Sequence, residues 1–145
     1  MKVVINNCYG GFGLSLKGLR RYMELQGRNA YFYKQTKYKH SDGEIEYTRI
    51  DDIDNHSNLF VICTPCDQGK IIPHYPKDTI SSYDIKRDDP ILVRVVEELG
   101  REASGSCSGL RVVEVERGRW FKINEYDGLE SIQYRDIDDE WILAE

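Results

Sequence analysis

The chain has few of the features that assign a protein to a class at first reading. Its 145 residues include four prolines, four cysteines and two tryptophans, and no hydrophobic run approaches the roughly 20 residues that span a bilayer. Asn6 and Asn7 interrupt the apolar N-terminal run, so it does not resemble a secretory signal. We therefore expect a cytoplasmic protein that makes no use of a membrane and keeps its cysteines reduced.

Basic residues are too few for a general nucleic-acid binder. Twenty lysines and arginines stand against 25 aspartates and glutamates, which gives a formal net charge of −5. Domains that bind DNA or RNA normally carry a basic face, so we expect neither polymer as a partner. A small phosphate-bearing ligand remains compatible with this charge, because a few arginines in one pocket suffice to bind it.

Recognisable catalytic motifs are also lacking. None of the three histidines, His40, His56 and His74, stands beside a serine or cysteine in a nucleophile motif. Paired carboxylates such as Asp51-Asp52 are better explained as helix caps or solvated loops. The sequence therefore predicts no catalytic residues and favours a protein that is not an enzyme. A histidine base assembled by folding is the alternative.

Cys63 and Cys66 form a C-x-x-C pair, the pattern of redox and metal sites. A redox site needs a helix after its first cysteine to lower the thiol pKa, and residues 67–73 do not favour one. A structural zinc site needs four ligands, two of which would have to come from distant parts of the chain. We interpret the pair as inert thiols and expect neither a metal nor a cofactor, with a metal site as the alternative.

What the sequence does contain is a glycine-rich turn over residues 8–15, CYGGFGLS, between an apolar run and an amphipathic segment. A strand, a glycine loop and a helix N-terminus in that order can hold an anion, because the amides of the first helical turn point outward. The turn matches neither the dinucleotide-binding pattern nor the P-loop pattern. The alternative is a tight turn with Phe12 in the core.

This turn supplies suitable groups for a nucleotide. Backbone amides would hold phosphate and an aromatic ring would stack on a base, while an arginine beside the second helix, in the same or a neighbouring subunit, would neutralise charge. The predicted ligand-binding residues are Tyr9, Gly10, Gly11, Phe12, Gly13, Ser15, Arg87 and Asp88.

Two helices stand out in the sequence. Apolar spacing predicts a helix over residues 16–26, with Ser15 suited to the N-cap and Gly27 to the stop. A second helix begins at Pro90, with Asp89 as its N-cap, and carries a longer apolar stripe.

The remaining segments favour strands, at residues 2–6, 59–63, 110–116 and 120–123, with a short strand or ragged tail over 129–143. Alternation over residues 30–50 predicts a hairpin with its turn at 41–43, and residues 126–128 form another turn signal. Residues 64–86 lack a clear period, which leaves a long functional loop or a short extra strand. The expected fold is one α+β domain over residues 1–145, with a mixed, mostly antiparallel sheet and two main helices.

The opening of the chain resembles a family of small phage and prophage proteins. The resemblance rests on residues 2–15, KVVINNCYGGFGLS, and on Arg87-Asp88-Asp89-Pro90 ahead of a V-V-E-x-L-G helix. It covers the first 15 residues and roughly residues 87–132. In size and in its glycine–aromatic loop, the chain is also similar to phage sponges that sequester nucleotide signals, including the ADP-ribose-derived signal of Thoeris immunity.

Residues and resemblance together predict a phage-encoded counter-defence protein in the host cytoplasm. It would bind and sequester a small cyclic or ADP-ribose-type nucleotide without turnover, as a homo-oligomer. One alternative is a protein–protein inhibitor of a host defence or regulatory protein, using an acidic face rich in tyrosine. A third reading is a nucleotide-processing enzyme that uses one of the histidines.

Overall fold

The computed structural model describes residues 1–37 and 45–135, so the predicted turn at 41–43, His40 and Trp141 lie outside the described residues. Two helices, α1 (Leu16–Leu25) and α2 (Pro90–Leu99), are each ten residues long. Short 3₁₀ helices lie at Ile53–Asn55, Ser82–Asp84 and Gly100–Ala103. The strands are β1 (Lys2–Asn6), β2 (Tyr31–Lys37), β3 (Glu46–Ile50), β4 (Val61–Thr64), β5 (Ile71–Ile72), β6 (Leu110–Glu114), β7 (Phe121–Tyr126) and β8 (Leu129–Tyr134). The predicted α+β class with two main helices is confirmed.

Both helices begin where the capping residues predicted. The Ser15 hydroxyl accepts a hydrogen bond from the Gly18 amide at 2.9 Å, and the Asp89 carboxylate accepts one from the Ile91 amide at 2.8 Å. Each cap satisfies an amide that the first helical turn would leave without a partner. Pro90 occupies the first turn of α2, where its missing N–H costs nothing.

The strands form three sheets, and every strand pair within the described residues is antiparallel. β1 pairs with β6, β7 pairs with β8 as a hairpin, and the third sheet has the order β4-β2-β3-β5. β4 starts two residues later than the sequence predicted, because Phe60 adopts a positive φ of 59° and ends a turn ahead of the strand.

β1 is buried on both faces, which explains its uninterrupted apolar run. Val4 faces the main core, where α1 and α2 pack against residues such as Phe32 of β2. Val3 and Ile5 face the opposite way and pack with the β7–β8 hairpin in a second cluster. Side chains alternate along a strand, so only a strand covered on both sides accepts apolar residues at three successive positions.

Residues 64–86, which had no clear period, cover the outer face of the four-stranded sheet and then lead to α2. The hydroxyl of the buried Tyr33 accepts a hydrogen bond from the Gln68 amide at 2.8 Å and donates a longer one to the Asp67 carboxylate at 3.5 Å. Arg49 of β3 pairs with Asp67 at 2.8 Å. The segment contains β5, so the predicted short extra strand is confirmed, and a function for the rest of the segment stays a prediction. In the part of the chain that is described, no helix has the length and apolar character needed to cross a membrane.

Candidate functional site

The glycine loop is bound on both sides by the protein itself. The Gly13 carbonyl accepts hydrogen bonds from the Gly105 amide at 2.9 Å and the Ser108 hydroxyl at 2.6 Å. The Ser15 amide donates to the Ala103 carbonyl at 2.9 Å. These bonds tie the loop to the segment that connects α2 with β6. Several of the loop's backbone groups are therefore engaged in the fold.

Glycine is required where the β7–β8 turn meets the loop. A Cβ atom on Gly128 would lie 2.2 Å from the Gly11 nitrogen, and one on Gly10 would lie 2.5 Å from the Cys107 carbonyl oxygen. Both glycines also adopt positive φ angles, 127° at Gly10 and 88° at Gly128. The predicted turn at residues 126–128 is confirmed, and the close approach of two backbones accounts for these glycines.

Phe12 lies in the main core and not in a ligand pocket. Its side chain is 3% exposed, and the Arg87 guanidinium carbon lies 3.6 Å from the centroid of its ring. A base cannot stack on a ring whose face is already covered. The structure therefore corrects the predicted stacking role of Phe12 and agrees with the alternative of a turn that places this ring in the core.

Arg87 is neutralised inside the protein. Its guanidinium donates to both carboxylate oxygens of Glu130, with Nη2 to Oε2 at 2.9 Å, while the Asn6 amide donates to Oε1 at 2.8 Å. The predicted role of Arg87 in phosphate neutralisation is corrected here, because the fork of the guanidinium is occupied by a buried carboxylate.

Asn6 and Glu130 are the residues that the sequence analysis missed. Asn6 is completely buried; its side-chain nitrogen donates to the carbonyls of Cys8 and Gly128 at 2.8 and 2.6 Å, and its side-chain oxygen accepts from the Gly109 amide at 2.8 Å. A polar residue at the end of an apolar strand is the signal that could have identified it. Arg87, Glu130 and Asn6 thus join three distant segments beneath the glycine loop.

The eight predicted ligand-binding residues do not meet in one cavity. The Ser15 hydroxyl caps α1 and donates to the Glu102 carbonyl at 2.5 Å, so both of its roles are structural. Tyr9 is exposed on the loop. Asp88 is exposed and lines a different cavity, to which no loop residue contributes.

This cavity, the α1–α2 groove, has a volume of about 550 Å³. One wall is formed by Tyr22, Gln26 and Arg28 at the end of α1. The other is formed by residues 79–81, 84–86 and 88–90 ahead of α2. Its size falls in the range of small-molecule sites, about 300–1,000 Å³.

Charged groups of both signs line the α1–α2 groove without pairing. Arg28, Lys86, Asp84 and Asp88 form no ion pair within residues 1–37 and 45–135. The Arg28 guanidinium donates only to the side-chain oxygen of Gln26 among these residues, at 3.2 Å. Asp89 is engaged, because the Tyr22 hydroxyl donates to it at 2.6 Å. Burial, followed by this hydrogen bond, raises the pKa of Tyr22 to about 12, so its hydroxyl stays a donor at neutral pH.

The thiols and histidines do not assemble into a reactive cluster among the described residues. Burial raises the pKa of Cys63 to about 12, which keeps its thiol protonated, whereas Cys66 is exposed. His56 lies 3.4 Å from Asp52 and His74 is exposed; neither lines the groove. Among the described residues, no three histidine, cysteine, aspartate or glutamate side chains lie together in a group that could hold a metal ion.

No protein-family model, curated protein or solved structure matches this chain. The resemblance of residues 2–15 to phage proteins therefore stays a prediction.

Proposed function

We propose that this protein binds a small ribonucleotide in the α1–α2 groove and holds it without turnover. The observation that carries the proposal is the presence of two cations, Arg28 and Lys86, and two carboxylates, Asp84 and Asp88, unpaired in one cavity. Charged groups that face a cavity without protein partners remain available to a ligand. Their arrangement specifies what that ligand must offer.

A ribonucleotide offers both kinds of group. Its phosphate oxygens accept hydrogen bonds from a guanidinium or ammonium group, which suits Arg28 and Lys86. Its ribose hydroxyls donate to carboxylates, a role that acidic residues take in many nucleotide sites and that suits Asp84 and Asp88. A simple anion would instead be repelled by the carboxylates, and a simple cation by Arg28 and Lys86.

The residues of the groove favour binding of a ligand over its chemical conversion. Neither a histidine nor a cysteine is among its lining residues, and Asp89 is engaged by the α2 cap and by Tyr22. The proposal therefore keeps the predicted sponge mode of action, in which a phage protein removes a nucleotide signal from the host. It moves the ligand from the glycine loop to the groove. The predicted homo-oligomer stays a prediction that light scattering tests directly.

The first experiment identifies the ligand. Purified protein is incubated with ADP-ribose, cyclic ADP-ribose, and linear and cyclic dinucleotides, desalted, and heat-denatured, and the released molecules are identified by mass spectrometry. Release of one intact nucleotide in near-stoichiometric amount supports the proposal. Release of an altered nucleotide indicates an enzyme. A protein that releases no nucleotide overturns the proposal for ADP-ribose-type ligands and dinucleotides.

Substitutions then place the ligand in the groove. Arg28→Gln and Asp88→Asn should each weaken nucleotide binding about tenfold in isothermal calorimetry, since a charge-assisted hydrogen bond is worth about 1.5–3 kcal/mol. Arg101→Gln is the matched control, because Arg101 is exposed and lies outside the groove. Equal affinities for all three variants would exclude this cavity as the site.

A further inference from the structure

Three exposed tyrosines lie in the glycine loop or in segments that contact it. Tyr9, Tyr83 and Tyr126 are 61%, 73% and 76% exposed. Tyr9 belongs to the loop, and the Tyr83 hydroxyl oxygen would lie 3.8 Å from a Cβ atom on Gly11. Tyr126 precedes Asp127, whose carbonyl accepts a hydrogen bond from the Gly10 amide at 3.4 Å. We call these three residues the tyrosine rim.

Hydrogen bonds fix the backbone segments that carry or contact the tyrosine rim. The loop beneath it is fixed by the hydrogen bonds to residues 103–108, and the hairpin turn is fixed by Asn6. The three tyrosine hydroxyls form no hydrogen bond within the described residues. Rings held on rigid backbone lose little conformational entropy on binding, which makes such a surface suited to a partner.

The charges beside the rim are acidic. Asp84 follows Tyr83 and Asp127 follows Tyr126; both are exposed and form no ion pair among the described residues. The guanidinium of Arg87, beneath the loop, is neutralised by Glu130. Lys86, three positions from Tyr83, lines the α1–α2 groove, and Asp84 lies at the border of the groove and the rim. The rim therefore combines aromatic faces with carboxylates.

We propose that the tyrosine rim binds a protein segment that presents arginine side chains. A guanidinium can stack on a tyrosine face while it donates hydrogen bonds to a neighbouring carboxylate, and a lysine ammonium cannot do so in the same planar manner. The chain already forms this contact internally, since Arg119 lies 4.0 Å from the ring centroid of Tyr134 and Arg49 lies 5.0 Å from that of Tyr31. No rim tyrosine lines the α1–α2 groove, but Asp84 borders both surfaces, so the tyrosine variants and Arg28→Gln are needed to separate this proposal from the nucleotide proposal.

The test uses the full chain and three short Gly/Ser peptides that carry arginine, lysine or glutamate at the same alternate positions. We expect the arginine peptide to bind several-fold more tightly than the lysine peptide, and the glutamate peptide not to bind, in fluorescence anisotropy. Tyr83→Ser or Tyr126→Ser should weaken the arginine peptide about threefold, and the double variant about tenfold, as expected for exposed cation–π contacts.

Trp120→Ser is the matched control, because Trp120 is also 76% exposed and lies at the other end of the same hairpin. It should leave peptide affinity unchanged. Three results would overturn the proposal: no preference among the peptides, equal losses in the Trp120→Ser and Tyr126→Ser variants, or a loss of nucleotide affinity in the tyrosine variants without peptide binding. Arg28→Gln, which tests the groove, should not alter the peptide affinity.

Discussion

The Arg87 guanidinium lies 3.6 Å from the centroid of the Phe12 ring, and the same guanidinium is bound in a fork by Glu130. One arginine thus connects the glycine loop to the β7–β8 hairpin. The two residues that the sequence offered for a ligand's base and phosphate instead bind each other. The glycine loop is consequently a structural junction.

Replacing Arg87 should destabilise the fold. Arg87→Met leaves the Glu130 carboxylate buried without a cation, and we expect a loss of about 2–4 kcal/mol in the free energy of unfolding, measured by urea denaturation. Adding Glu130→Gln should recover part of this loss, because the amide is neutral and its oxygen can still accept the Asn6 hydrogen bond. The control Arg94→Met removes an exposed pair with Glu98 and should cost less than about 1 kcal/mol. Similar losses for the two single variants would contradict this account.

Gly128→Ala should destabilise the fold far more than the same substitution at Gly118. Its Cβ would overlap the Gly11 nitrogen at 2.2 Å, in addition to the strain of φ 88°. Gly118→Ala separates the two effects, since Gly118 has a φ of 81° but no atom within 4 Å of the added Cβ. We expect about 1 kcal/mol for Gly118→Ala and about 3 kcal/mol or more for Gly128→Ala in thermal or urea unfolding. A Gly128→Ala variant as stable as Gly118→Ala would contradict the close contact between the hairpin turn and the glycine loop.

Substitutions of Phe12 and Tyr9 should have very different effects on the free energy of unfolding, although both residues belong to the glycine loop. Phe12→Ala creates a cavity in the main core and should cost about 3–5 kcal/mol. Tyr9→Ala, three residues away on the exposed side of the loop, should change stability by less than about 0.5 kcal/mol. Circular dichroism during urea unfolding measures both. If Phe12→Ala were fully stable, the ring would not be part of the core and its role as a ligand platform would return.

The buried Cys63 thiol should make the fold sensitive to alkaline pH. Burial raises its pKa from 9.0 to about 12, so the unfolded chain loses this proton at a lower pH than the folded protein. The contribution of the protonated Cys63 thiol to the free energy of unfolding is therefore fully present below pH 9. It is lost as the pH rises towards 12, by about 1 kcal/mol near pH 10. Tyr22, whose pKa is raised from 10.0 to about 12, acts in the same direction.

Thiol labelling and a variant test this prediction. At pH 8, dithionitrobenzoate should react with the exposed Cys8, Cys66 and Cys107 in the native protein, and with Cys63 only after unfolding. Cys63→Val should flatten the alkaline part of the stability profile measured by urea unfolding. Rapid labelling of Cys63 in the native state, or an unchanged profile in the variant, would contradict the buried thiol.

Local sequence signals predicted the elements whose causes are local. Ser15 and Asp89 mark the two helix starts because a capping side chain acts within three residues of itself. The turn at residues 126–128 was also predictable, since Gly128 accepts the positive φ that such a turn requires. The start of β4 was missed because the pattern of residues 59–63 carries no sign of the positive φ at Phe60.

The sequence by itself determined the α+β class, the two helices and the presence of a glycine loop followed by a capped helix. Tertiary structure alone decided which groups that loop contacts. Glu130 lies 43 positions from Arg87 and 124 from Asn6, and no periodic pattern links residues so far apart. Hydrogen bonds and ion pairs depend on distances in space that only the folded chain fixes. For the same reason, the charges of the α1–α2 groove, contributed by the end of α1 and the segment ahead of α2, become one site only after folding.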